Sequence, residues 1–237
     1  MKIASRPRPT LQPLMTSVNH AVFLALTILL LLSLADPVRQ ASADEAGDFD
    51  YYILTLSWSP TYCADEARRN RDQLQCFSER SYGFVIHGLW PQYERGYPER
   101  CRTRFRDPSD NLVEQMLKFS PSESLIRHEW DKHGSCSGLL PLDYFRLAVR
   151  SFKALKRPDK LADLDRPLLM TVPQIESAFH DANPGLPEDS LFVTCKRQKL
   201  SEVRLCLDKK GKPRQCSPSA IRARCGSRDK LRILAVR

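Results

Sequence analysis

The chain of 237 residues contains no C-x-x-C pair, although it carries eight cysteines. That absence argues against a zinc ribbon and against a thioredoxin-like redox motif. It also lacks H-E-x-x-H, the helical motif that sets two histidines four residues apart to grip zinc. No N-x-S/T glycosylation acceptor occurs, and no internal repeat, low-complexity tract or long linker divides the sequence. Long hydrophobic runs are also scarce. The most extended one, residues 21–35, falls short of the roughly 20 apolar residues that span a bilayer.

That run is placed where an export signal would place it. Lys2, Arg6 and Arg8 precede it, and Ala41-Ser42-Ala43 follows as an A-x-A cleavage site. The expected mature chain is therefore 44–237. Taking 43 residues from 237 leaves 194, enough for one domain with a sizeable core. Four Lys/Arg and one Asp leave with the signal, so the formal charge falls from +9 to +6. A basic surface attracts polyanions but does not by itself specify one. All eight cysteines lie in the mature part, which points to disulfides and an oxidising compartment. Their 105 possible pairings cannot be chosen by counting. An A-x-A site without glycosylation acceptors fits a bacterial secreted or periplasmic protein, free of the membrane once cleaved.

Chemistry-bearing residues concentrate in His128-Glu129-Trp130-Asp131-Lys132-His133-Gly134-Ser135-Cys136. Ser120, Pro121 and the acidic turn after them predict a helix start, with Gly134 as its stop. At about 100° per residue, His128, Lys132, Glu129 and His133 share one polar arc, and Trp130 points away into a core. A metal reading fails on spacing, because the histidines are five apart with a cationic lysine between them. A solvated face of mixed charge and an anion site both remain open on this segment alone.

A second segment, Tyr82-Gly83-Phe84-Val85-Ile86-His87-Gly88-Leu89-Trp90-Pro91, reads as a buried strand ending in a turn at His87-Gly88. Together, F-V-I-H-G-L-W-P and H-E-W-D-K-H-G-S-C resemble the two active-site segments of the ribonuclease T2 family, in the family's order. The likeness extends weakly through Tyr51-Tyr52-Ile53-Leu54 with Trp58 and through the cysteine pattern.

The resemblance implies a metal-independent endoribonuclease without a cofactor, acting as a monomer on single-stranded RNA. The products would be 2′,3′-cyclic phosphates, then 3′-phosphates, and DNA would be spared for want of a 2′-hydroxyl. It implies His133 as general base and His87 as general acid, although the residues alone do not fix which is which. Lys132 and Glu129 would stabilise the transition state, and His128 would bind phosphate. Trp90 would stack a base, with Tyr93 and Tyr97 as candidate partners and Gln92 standing where adenine-preferring fungal members carry Asp. Ser57 replaces a Gln common in the family, so no base preference carries over. The implied disulfides are Cys101–Cys136 and Cys195–Cys225 enclosing Cys206–Cys216, which leaves Cys63 over with Cys76. Two rivals exist: a secreted RNA-binding or toxin-like protein using the fold without catalysis, and a zinc hydrolase.

Elsewhere the pattern predicts a strand over 49–56 ended by residues 57–60, and a helix or loop over 64–75. Helices are predicted from Ser109 to about Lys118, over 141–156, and from Pro173 to Ala182 behind a Thr171 cap. His180, in that last helix, reads as a surface residue. A hairpin over 191–207 with a turn at 209–212, and a strand over 231–236, complete the chain. Strands at both ends with helices between predict an α+β fold: a central antiparallel-dominated sheet with helices packed around it.

Overall fold

Residues 51–58 are aromatic, aliphatic or small, and they become a strand flanked on both sides. In the computed structural model, which describes residues 44–65, 72–226 and 230–236, the elements follow in order. They are β1 (Tyr51–Trp58), α1 (Ser59–Cys63), α2 (Gln73–Cys76), β2 (Phe84–Gln92), α3 (Asp110–Met116), α4 (Glu123–Lys132) and a 3-10 turn (Gly134–Ser137). There follow α5 (Pro141–Ala154), α6 (Asp159–Ala162), β3 (Leu168–Thr171), α7 (Val172–Ala182), β4 (Leu191–Lys196), β5 (Lys199–Leu207), α8 (Pro218–Ile221) and β6 (Lys230–Ile233). The expected signal segment lies outside the described residues, as does most of the charged stretch after Asp65.

The six strands form one sheet in the order β2-β1-β5-β6-β3, with β4 also paired to β5. Every pairing is antiparallel except a short parallel contact of β5 with β6. This is the expected α+β architecture. Alternation along the strands gives the sheet two different faces. Leu54, Leu56, Ile86, Leu89, Val203 and Leu205 face the main core, where they meet Ile126, Trp130, Tyr144 and Phe179 from the helices. Tyr51, Ile53, Phe192 and Cys206 form a smaller cluster against Trp90.

Four disulfides form: Cys101–Cys136, Cys195–Cys225 and Cys206–Cys216, which the resemblance implies, and Cys63–Cys76, the pair it left over. Capping residues start the helices: Ser109 for α3 and a full capping box of Thr171 and Gln174 for α7.

Several local expectations change. Strand β1 continues through Ser57 and Trp58 where the pattern predicted its end. Helix α4 starts one turn fragment later than expected, with Ser122, not Ser120, accepting from the Leu125 amide. Gly134 does not stop that helix in a left-handed conformation. The left-handed residue is Gly138, after the 3-10 turn. Gly134 is instead required by packing, because a Cβ there would lie 2.5 Å from the Trp130 ring. The β4–β5 turn is Arg197-Gln198, both with positive φ, as the two-residue hairpin demands. Residues 209–212 form a separate turn after β5, closed by the Asp208 amide on the Lys212 carbonyl. Strand β3 went unforeseen.

Candidate active site

Strand β2 does not turn at His87. It runs on to Gln92, with Pro91 tolerated because β1 is its only strand partner among the described residues. The pairing goes from Thr55↔Gly88 to Leu56↔Ile86, so His87 has no partner across the ladder. It is the extra residue of a β-bulge. Such bulges re-aim side chains, and they cluster near active sites. Here the bulge keeps Ile86 and Leu89 in the main core while His87 joins Trp90 in ring contact, centroids 5.2 Å apart. The free edge of β2 is covered where the Ile86 amide donates to the Phe119 carbonyl.

Helix α4 lies along that edge. Trp130, 1 % exposed, packs edge-on against Tyr144, whose hydroxyl donates to the Leu89 carbonyl at 2.7 Å. Burying a side chain of this kind contributes about 1.5–3 kcal/mol, enough to fix the helix rotation. Glu129 is thereby turned inward and is 3 % exposed. Its Oε2 accepts from Trp90 Nε1 at 2.7 Å, and its Oε1 lies 3.6 Å from His87 Nε2. Glycine at 88 makes this approach possible: a Cβ would sit 2.7 Å from the Glu129 carboxyl carbon.

His133 follows the helix and is buried, its ring 5.3 Å from Trp90. Its Nδ1 has no hydrogen-bond partner among the described residues. Lys132 is half-buried, 3.4 Å from Glu99 and over the Tyr97 ring. The Arg100 amide donates to the Lys132 carbonyl, and Cys101–Cys136 ties the same loop to the turn after the helix. The polar arc is therefore not a solvated face. Of its members only His128 is exposed.

Sequence reasoning missed two further residues. Glu202 and Arg204 alternate with Val203 and Leu205 on β5, so they project from the face opposite the main core. Glu202 Oε1 lies 2.7 Å from His87 Nδ1. Its Oε2 accepts from Arg204 Nε and Nη2, at 3.0 and 2.7 Å, and from Thr194 Oγ1 at 3.3 Å. The guanidinium lies over the Trp90 ring at 4.9 Å. The available signal was this period-two placement of a Glu and an Arg among the apolar Val203, Leu205 and Leu207 of the strand.

Electrostatics set the two histidines apart. Burial opposes charge on His87, but the Glu202 hydrogen bond and the charges of Glu129 and Glu202 together raise its pKa above the ordinary value. Burial and the cations Lys132, His87, His128 and Arg100 push His133 down to about 3. Burial lifts Glu129 to about 7, partly offset by His87, Trp90 and Lys132. Burial also works against the Glu202 carboxylate, yet His87 and Arg204 bring it down to about 2. One imidazole is thus set up to hold a proton and the other to lack one.

The remaining expected residues lie further out. Tyr97 is close, its ring 6.3 Å from His133. The Tyr93 hydroxyl reaches Asp44 and its ring packs against the main core. The Gln92 amide donates to the Pro91 carbonyl. His180 is half-buried on α7. Among the described residues, no group of three or more His, Cys, Asp or Glu side chains is arranged to hold a metal.

The family model for the ribonuclease T2 family matches residues 49–216. A ribonuclease of Aeromonas hydrophila is 39% identical over 171 residues, covering 70% of this chain and 75% of that protein. A probable ribonuclease of Haemophilus influenzae is 33% identical over 178 residues, covering 70% of this chain and 61% of that protein. Among solved structures, an RNase-related protein from Calystegia sepium aligns with a TM-score of 0.61 at 25% identity, over 79% of this chain and 98% of that one. Both histidine-bearing segments fall inside the matched span, and the chain belongs to the ribonuclease T2 family as an endoribonuclease.

Proposed function

We propose that this endoribonuclease cleaves single-stranded RNA without a metal, by transphosphorylation to a 2′,3′-cyclic phosphate and then hydrolysis to a 3′-phosphate. RNA carries its own nucleophile, the 2′-hydroxyl. The protein must remove that proton, protonate the departing 5′-oxygen and stabilise the charge that builds on phosphorus-bound oxygens. The observation that carries this reading is the opposite setting of two histidines flanking one indole: His87 against carboxylates, His133 buried among cations.

His133, neutral above about pH 3, takes the 2′-proton. His87 holds a proton and gives it to the 5′-oxygen. The ring nitrogens then exchange roles when water opens the cyclic phosphate. Lys132 supplies a point charge to the non-bridging oxygens, displacing its contact with Glu99. Glu129, lifted to about 7, is protonated at acid pH and donates to the phosphate. Exposed His128 adds binding charge at the rim. The half-buried Trp90 with Tyr97 offers stacking to a base, and Gln92 and Tyr93 lie between them on the chain. DNA lacks the nucleophile and is not a substrate. We assign residues 1–43 as an export signal, so that the enzyme works as a monomer in the periplasm or outside the cell.

The test is RNA digestion by the purified protein with and without EDTA, with the ends identified by mass spectrometry. Cyclic ends formed at equal rates in both samples support the mechanism. Activity lost to chelator and restored by zinc overturns it in favour of a metallohydrolase, and binding without turnover overturns catalysis.

A further inference from the structure

We infer that Glu202, clamped by Arg204, is a positioning residue for His87: it accepts a hydrogen bond from Nδ1–H and so aims Nε2 at the leaving 5′-oxygen of the RNA. The inference rests on the proposed acid role of His87, and it concerns a residue 115 positions away in sequence.

Strand geometry makes the contact specific. Strands β2 and β5 both pair with β1, so they stand about 9–10 Å apart across it. A contact at 2.7 Å between side chains of these two strands needs room above β1. Thr55 and Ser57 supply it, since they are the β1 residues that pair with Arg204 and Glu202. The bulge at His87 and these short side chains let the imidazole lie over β1 and reach Glu202.

Both carboxylate oxygens are committed. Oε2 takes the two Arg204 donors and Thr194, which leaves Oε1 to His87. Because β5 lies inside the sheet and Arg204 is also held over Trp90, the acceptor is fixed in place. A carboxylate on one ring nitrogen selects the tautomer and leaves the other nitrogen for chemistry. The charged groups facing His87 are Glu202 and Arg204 from β5 and Glu129 from α4, with His133 beyond Trp90. Glu129 meets Nε2, the side a substrate phosphate must use, so only Glu202 holds Nδ1.

The test is a pH titration of the His87 ring nitrogens by ¹⁵N NMR in the wild-type protein, Glu202→Gln and Glu202→Asp, beside kcat and KM on RNA across pH. In the wild type, neutral His87 carries its proton on Nδ1. In Glu202→Gln its pKa falls, the alkaline limb of the rate profile moves to lower pH with it, and kcat drops roughly 10–10³-fold with KM within about twofold. A wrong-tautomer imidazole in a serine protease triad costs about 10⁴-fold, which bounds the effect. Glu202→Asp keeps the charge and recovers the limb with part of kcat. A purely structural ion pair would lower stability and leave the limb where it was. A wild-type Nε2–H tautomer overturns the inference without any variant, as does a folded Glu202→Gln with unchanged titration and limb. If the wild type cleaves no RNA while His87 still titrates with Glu202, the proposed function fails and the positioning contact stands.

Discussion

Adding one methyl group at Gly88 should disarm the site without removing any catalytic group. Gly88 lies in β2 with ordinary extended backbone, so alanine meets no conformational penalty there. The obstacle is Glu129. The new Cβ would lie 2.7 Å from its carboxyl carbon, and closer to Oε2 and to Trp90 Nε1. Carbon–carbon contacts settle at about 3.5–4.0 Å, so the carboxyl must retreat by roughly 0.8–1.3 Å. That retreat breaks the 2.7 Å hydrogen bond from Trp90 and moves Glu129 away from His87 Nε2. Hydrogen bonds to charged groups contribute about 1.5–3 kcal/mol, and a displacement of about 1 Å at a reacting centre costs up to roughly 10²-fold in rate. Gly88→Ala should therefore lose about 10²-fold in kcat on RNA, with KM little changed and a lower urea midpoint. A folded Gly88→Ala with kcat within about threefold of wild type would refute the packing argument.

Replacing His87 or His133 by alanine should each cost roughly 10²–10⁴-fold in kcat, and the double variant should fall far less than the product, because the two act as a unit. Lys132→Ala should lower kcat, while the exposed His128→Ala should be mildest and act through KM; silence in both parameters would remove His128 from the site. The kcat/KM profile should be bell-shaped and centred on the acid side of neutral. Activity rises as His133 loses its proton near pH 3 and falls as His87 loses its own above the ordinary histidine value, so a maximum well on the alkaline side of neutral would contradict control by these two histidines. Alkylation without reductant should label no cysteine in the folded protein. Opening Cys101–Cys136 should cost about 2–5 kcal/mol and reduce activity, since that bridge ties the Arg100 loop to the 3-10 turn that follows α4 and His133.

What the sequence made legible were features with local physical signatures. The helices over 110–116, 141–154 and 172–182 announce themselves by caps and by apolar spacing, and β1 by its β-prone composition. The site residues on β2 and α4 were legible because each segment packs its chemistry into a few adjacent positions. The unread features depend on distant partners. Four-residue β3 carries a Leu169 that is 69 % exposed, so no buried alternation marks it. Arg197 and Gln198 adopt positive φ without the Asn or Gly that signals a hairpin, which drew the expected turn to the glycine at 211. The bulge at His87 exists only in the register with β1, and Glu202 becomes part of the site only when β5 pairs with β1.

The most direct measurement of the two-histidine mechanism follows a single-stranded oligonucleotide with one ribonucleotide in an otherwise 2′-deoxy strand, digested in EDTA and resolved by mass spectrometry over time. The mechanism predicts cutting only at the ribonucleotide, with a 2′,3′-cyclic phosphate appearing before any 3′-phosphate. Cleavage at deoxy positions, or a 3′-phosphate formed with no cyclic precursor, would contradict it.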